Sequence, residues 1–143
     1  MLVLEEIKKN KKSIAALYRL LSEREFNISH KHLPSFEKHE NFVLNHPYRK
    51  WFFVKKDDVL LGTIYFQFDN SVGINLDFKK VDFSFVELFD LVKKKISPLR
   101  PVPSKVYSQF FINVPIKNKN LSSWLEEGGC ISSQVSYEIS EKK

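Results

Sequence analysis

Residues 50–78 read KWFFVK, then KDD, then VLLGTIYFQF, then DNS, then VGINLDF. Aromatic and β-branched runs of strand length alternate with Lys56-Asp57-Asp58 and Asp69-Asn70-Ser71. Asp, Asn and Ser form turns because their short side chains bond the local backbone and tolerate left-handed conformations. Connections this short cannot carry a crossover. The spacing therefore predicts an antiparallel meander with strands at 50–55, 59–68 and 72–78.

Upstream, residues 2–7 (LVLEEI) read as a short strand or the start of a helix. Residues 11–25 place Ile14, Leu17, Tyr18 and Leu21 at helical spacing. Pro34 or Ser35 opens a second helix with Phe36, Phe42 and Val43 on its apolar face, and His46-Pro47 ends it. Downstream, 83–96 carries Phe85, Leu88, Phe89, Val92 and Ile96 on one helical face. Lys93, Lys94 and Lys95 lie in its last turn, where cations complement the helix dipole. Arg100–Ser104 is a proline-containing loop, 105–114 (KVYSQFFINV) a strand, and 118–127 a short helix stopped by Gly128-Gly129. Residues 130–139 (CISSQVSYEI) alternate polar and apolar, as a half-buried strand does. A strand–helix–strand passage favours a parallel pair. The expected fold is thus α/β (α+β). Its sheet is mixed and largely antiparallel, flanked by helices, with a central parallel strand pair. Without a repeat or linker, one domain over 1–143 is expected.

Composition is globular: 43% hydrophobic and 28% charged, with enough Phe (13) to supply much of a core. The net charge of +6 suits an anionic partner, or only a lysine-solvated surface. Cys130 is the only cysteine, so no intrachain disulfide can form, which fits a reducing cytoplasm. No stretch approaches the roughly 20 apolar residues of a membrane span, and a cytoplasmic location is expected.

The element order resembles the GNAT acyltransferase superfamily over about 26–139, and residues extend the resemblance. Phe26-Asn27-Ile28-Ser29, followed by Ser35, His39 and Phe42, is similar to the acceptor-side region of the branch that acylates amino sugars. His46–Val54 and Leu61–Phe66 resemble the family's second and third strands, and Asn70–Leu76 its fourth. Ile112-Asn113-Val114, Asn118, Leu121 and Gly129-Cys130 match the spacing of its fifth strand and last helix. The resemblance implies acyl transfer from acetyl-CoA, or another acyl-CoA, to a small-molecule amine. The pantetheine arm would lie where strands 72–78 and 105–114 splay apart. The backbone around Asn75, Leu76 and Asp77 would polarise the thioester, as an oxyanion hole does.

The chain departs from the family pattern twice. The family holds the cofactor pyrophosphate on a glycine-rich loop at a helix start, where backbone N–H groups reach the anion. Here that stretch is Phe78-Lys79-Lys80-Val81-Asp82-Phe83-Ser84, without glycine and with an acidic residue. The family's general-acid Tyr aligns with Leu125, which has no proton to give.

The residues then sort by role. Lys79, Lys80 and Ser84 are candidates for gripping phosphate, with a solvated turn as the plain alternative. Asn113 ends the parallel strand, where α/β sheets bind ligands, and Asn118 begins a helix as a ligand or a cap. His39, His46 and Asp77 are candidate bases for the amine proton, because imidazole titrates near neutral pH. His30 and His32, two apart, do not share a helix face, and no metal site is expected. Cys130 reads as a small buried hydrophobe.

The leading reading is an acyl-CoA-dependent N-acyltransferase acting on an amino sugar or similar amine. The alternative is a GNAT-shaped binding or accessory protein without catalysis. A third is a basic nucleic-acid module, suggested by Tyr48-Arg49-Lys50-Trp51-Phe52 but carrying no recognised motif. Membrane is not an expected partner, nucleic acid is disfavoured, and a homodimer is allowed.

Overall fold

The computed structural model describes residues 1–24 and 33–140. The chain runs β1 (Leu2–Glu6), α1 (Lys11–Ser22), α2 (Phe36–Leu44), β2 (Lys50–Lys56), β3 (Val59–Phe66), β4 (Ser71–Leu76), α3 (Phe85–Lys93), β5 (Phe111–Ile112) and α4 (Lys119–Glu127). One sheet takes the order β1-β2-β3-β4-β5. The first three pairings are antiparallel and β4–β5 is parallel. This is the mixed, mostly antiparallel GNAT-like architecture that the sequence predicts, with its one parallel pair at the edge of the sheet and not at its centre.

The turns follow from their residues. Asp57 and Asp58 both take positive φ (50° and 66°), the two-residue hairpin geometry that matches strand twist. Asn70 also lies in the left-handed region (φ 70°) and is fully buried. Its amide nitrogen donates to Leu99 O (3.0 Å) and Tyr107 O (2.8 Å), and its oxygen accepts from Leu99 N (2.7 Å). The turn residue therefore staples the long crossover after α3 to the sheet.

Helix starts are capped by side chains in every case. Asn10, Ser35, Ser84 and Asn118 accept from Ser13, Lys38, Glu87 and Leu121 N respectively. Each satisfies an amide that the helix itself cannot. One sheet face packs on α3 and α4 through Phe52, Ile64, Phe66, Leu88, Val92 and Leu121. The other carries Trp51 and Phe53 against Ile14 and Leu17 of α1 and Val43 of α2.

Two strand expectations need correction. Of 105–114 only Phe111–Ile112 pairs with the sheet. Upstream, Val102 and Val106 bridge each other around Ser104, whose φ is 65°. Local alternation reports amphipathicity, whereas a ladder also needs a partner edge in reach. Residues 130–139 likewise form no strand: the segment leaves α4 without helix, turn or bend and is exposed from Ile131 onward. The segment Phe26–Ser29, with His30 and His32, lies outside the described residues. Among the described residues, no helix is long and apolar enough to cross a membrane.

Candidate functional site

β4 and β5 pair only at Ser71–Phe111 and Val72–Ile112. β4 then continues along β3 to Leu76, while β5 ends. The strands part there, and a small open hollow lies between them, lined by Tyr65, Gly73, Ile74, Asn75, Asn113, Pro115 and Asn118. Gln67 N bonds Ser71 O (2.9 Å) and Asp77 N bonds Leu61 O (2.9 Å), so the odd-numbered residues of β4 turn their peptide groups to β3. By the alternation of the ladder, Ile74 and Leu76 present their N–H and C=O groups to the side that β5 has vacated.

The expected backbone donors therefore divide. Leu76 presents its amide to the cleft side. The main chain of Asn75 and the amide of Asp77 serve β3. A Cβ on Gly62 would stand 1.9 Å from Asn75 O, which shows how closely the two strands approach there.

The far wall is Asn113 with Pro115 and Asn118. Asn118 Oδ1 accepts from Leu121 N (3.2 Å), so its amide NH₂ is the group left for a ligand. On the near side, the Tyr65 ring and hydroxyl cover the Cα of Gly73. Tyr65 stacks on Tyr48 (4.1 Å, 11°), and Tyr48 packs on Trp51 (5.0 Å) and His46 (5.4 Å). Burial raises the pKa of both phenols; Arg24 beside them works in the opposite direction. Burial lowers that of Arg24 itself.

The candidate bases lie elsewhere. His46 sits behind Tyr48 and accepts from Tyr48 N through Nδ1 (3.2 Å), which places any ring proton of the neutral form on Nε2. Burial and then Lys9 lower its pKa. His39 is buried between α1 and α2, with Nε2 3.3 Å from Ile14 O and its ring against Tyr18 and Phe36. Asp77 turns its carboxylate into the following loop: Oδ1 accepts from Lys79 N (3.1 Å), and Oδ2 lies 4.0 Å from Lys80 Nζ.

That loop is where an acyl-CoA pyrophosphate would be held. Two of its amides are committed: Asp77 takes Lys79 N through its side chain and Lys80 N through its carbonyl (2.9 Å). In the first turn of α3, Ser84 Oγ takes Glu87 N. Asp82 and Glu87 add negative charge at the start of α3, where an anion would seek positive dipole. Lys56 already bonds Asp82 (2.8 Å), and that bond raises the lysine pKa. Phe85 packs on Trp124, whose Nε1 donates to Phe83 O (2.8 Å), so α4 covers one flank of this helix start. The strand edge presents free peptide groups to this hollow. Without glycine and with Asp82 among them, residues 77–84 fit a pyrophosphate poorly in a backbone cradle.

Leu125 is buried in the core. Cys130 is half-buried, and burial raises its thiol pKa, which keeps it protonated. Among the described residues, no cluster of three or more His, Cys, Asp or Glu is gathered for a metal. Of the candidates, Asn75, Asn113 and Asn118 meet at one cleft; His39, His46, Asp77, Lys79, Lys80 and Ser84 do not line it. Tyr65 and Gly73 were missed. A small residue on one strand directly opposite an aromatic on its neighbour was the available signal.

No protein-family model matches the sequence, and no curated protein does. Among solved structures, the chain is similar to a possible acetyltransferase from Clostridium difficile 630, at 15% identity and a TM-score of 0.52 over 99% of both chains. At that identity the likeness is one of fold.

Proposed function

We propose that the protein binds an acyl thioester in the β4–β5 cleft and transfers its acyl group, acetyl in the simplest case, to a small-molecule amine such as an amino sugar. One observation carries this reading. The cleft sets the unpaired peptide groups of Ile74 and Leu76 opposite Asn113 and Asn118. A strand edge of that kind can pair with the amides of a pantetheine arm, and an N–H there can stabilise the oxyanion that forms as the amine attacks. The amine nitrogen bonds to the thioester carbon, the thiolate leaves, and the amine proton passes to water or a base. With Leu125 in the acid position the thiolate leaves unprotonated or takes a proton from solvent. Turnover is expected to be slow, since general acid catalysis typically contributes about a hundred- to ten-thousand-fold.

The second reading, a GNAT-shaped binding protein without catalysis, is favoured by residues 77–84. The amides of Lys79 and Lys80 are bonded within the loop, and Asp77 and Asp82 oppose a pyrophosphate.

Calorimetric titration with acetyl-CoA and with acetyl-pantetheine, followed by an assay for thiol release with amino sugars, separates the two. The transferase reading expects binding that Asn113→Ala weakens, a smaller preference for the nucleotide portion than glycine-loop enzymes show, and amine-dependent thiol release. Binding without release, or no binding of either thioester at millimolar concentration, overturns the transferase reading and supports the second.

A further inference from the structure

Trp51, Tyr65 and Gly73 stand opposite one another on β2, β3 and β4. Side chains along a strand alternate between faces, so this row shares a face with Phe53, Thr63 and Asn75, two residues away on each strand. It is the face that Ile14 and Leu17 of α1 cover. Tyr65 belongs both to this packing and to the cleft, where its hydroxyl lies over the Cα of Gly73.

Arg24 reaches the same place from α1. Leu17, Leu20 and Arg24 follow the spacing of one helical face, and both leucines pack there. Arg24 N bonds Leu21 O (3.3 Å), which continues the turn past the helix cap. The guanidinium stands beside the phenols of Tyr48 and Tyr65, half-buried, with its pKa lowered by burial. Among the described residues no carboxylate pairs with it. Glu23, its neighbour in the chain, lies against Arg19 instead (3.8 Å). Neither phenol hydroxyl has a hydrogen-bond partner there, and burial keeps both protonated as donors. Trp51, packed on Tyr48, is 8% exposed, and its Nε1–H has no acceptor. The cluster thus holds donors and a cation but no anion. A cation taken out of water without a counter-ion is costly, and such groups gather where a ligand binds.

We propose that the acceptor is an amine carrying a carboxylate, which Arg24 holds while the hydroxyls of Tyr48 and Tyr65 complete the pocket. This deepens the acyl-transfer reading and rests on it. The planar guanidinium fork matches a carboxylate in both geometry and charge. A phosphate dianion asks for more positive charge, and among the described residues Arg24 is the only cation acting on the two phenols. Tyr65 links this pocket to the cleft, so a carboxylate held on Arg24 directs the rest of its molecule, amine included, towards the strand edge of Ile74 and Leu76.

NMR titration of the ¹⁵N-labelled full chain tests it without acetyl-CoA. The probes are a panel of N-acetylamino acids, with the N-acetyl forms of β-alanine and γ-aminobutyrate, each beside its neutral amide. The expected result is that at least one acid shifts the Gly73 amide and the Trp51 Nε1–H and binds about tenfold or more tightly than its amide, as a charge-assisted bond implies. Arg24→Gln should abolish that preference, and Arg24→Lys should recover only part of it. A panel in which no acid outbinds its amide overturns the proposal, as does a preference that survives Arg24→Gln. Inorganic phosphate binding more tightly than the best acid overturns it too. Should the Arg24 variants fail to fold, Tyr65→Phe must weaken the acid and spare the amide, or the proposal falls. The acyl-transfer reading fails separately. Acid-selective binding without amine-dependent thiol release leaves the Arg24 pocket standing and removes the transfer. Thiol release with neutral amines that Arg24→Gln leaves unchanged does the reverse.

Discussion

The phenol of Tyr65 fills the space that a side chain on Gly73 would need: a Cβ there would stand 2.0 Å from Tyr65 Cζ and 2.4 Å from its hydroxyl oxygen. The ring cannot simply turn aside, because its other face is stacked on Tyr48. Gly73→Ala is therefore expected to cost about 1–3 kcal/mol, as overpacking does. Adding Tyr65→Ala should recover part of that cost, with a coupling of about 0.5–3 kcal/mol between neighbours in contact. Urea denaturation of both single variants and the double checks it; strict additivity would deny the contact.

Asn70 is the staple of the crossover, and its removal should be felt far from position 70. Asn70→Ala leaves Leu99 N, Leu99 O and Tyr107 O without their partner, at roughly 1–3 kcal/mol for each group that water cannot reach. It also places Ala in a left-handed conformation. A loss of about 3 kcal/mol or more is expected from these terms together. Asn70→Gly, which accepts the backbone angle, should lose less. Thermal unfolding of the pair measures the two contributions.

His46 makes stability fall in mild acid. Its folded pKa lies below the usual value near 6.5, so the unfolded chain takes up a proton that the native state resists. Stability is fully present above about 6.5 and declines as pH falls from there towards the folded value. His46→Gln should flatten that stretch of the stability curve measured in urea. An unchanged slope would show that another group sets it.

Restoring the family's acid at position 125 should not restore chemistry. The Leu125 side chain packs in the core beside Leu121 and Trp124. A Tyr there is expected to cost about 1–3 kcal/mol in strain and to leave thiol release with acetyl-CoA unchanged. A rise in turnover for Leu125→Tyr would mean that α4 moves in the working complex.

The meander was readable because each of its signals is local. Strand composition, turn residues and register all sit within residues 50–76. β5 was not, because KVYSQFFINV has strand composition throughout and only the position of β4 decides which part pairs. The Asn70 staple was read as a turn residue alone, since its partners lie near residues 99 and 107. The cleft was partly legible. Asn113 and Asn118 follow from where a parallel strand ends and a helix begins, whereas Tyr65 depends on cross-strand register. His39 reads as a candidate base from sequence, and the packing of α1 on α2 buries it away from the cleft.

The two-residue length of the β4–β5 pairing also has a kinetic meaning. β2 to β4 close through hairpins, whereas β1 pairs with β2 across α1 and α2, and β5 joins the sheet only after a crossover that starts beyond Leu76 and ends at Phe111. Both are distant closures, and β5 has the shorter ladder to offset the entropy loss. β5 is then the element that docks last during folding and loosens first in the native state. The cleft exists only while that docking holds, so ligand that grips both walls would act on the folding equilibrium of this edge as well as filling a hole.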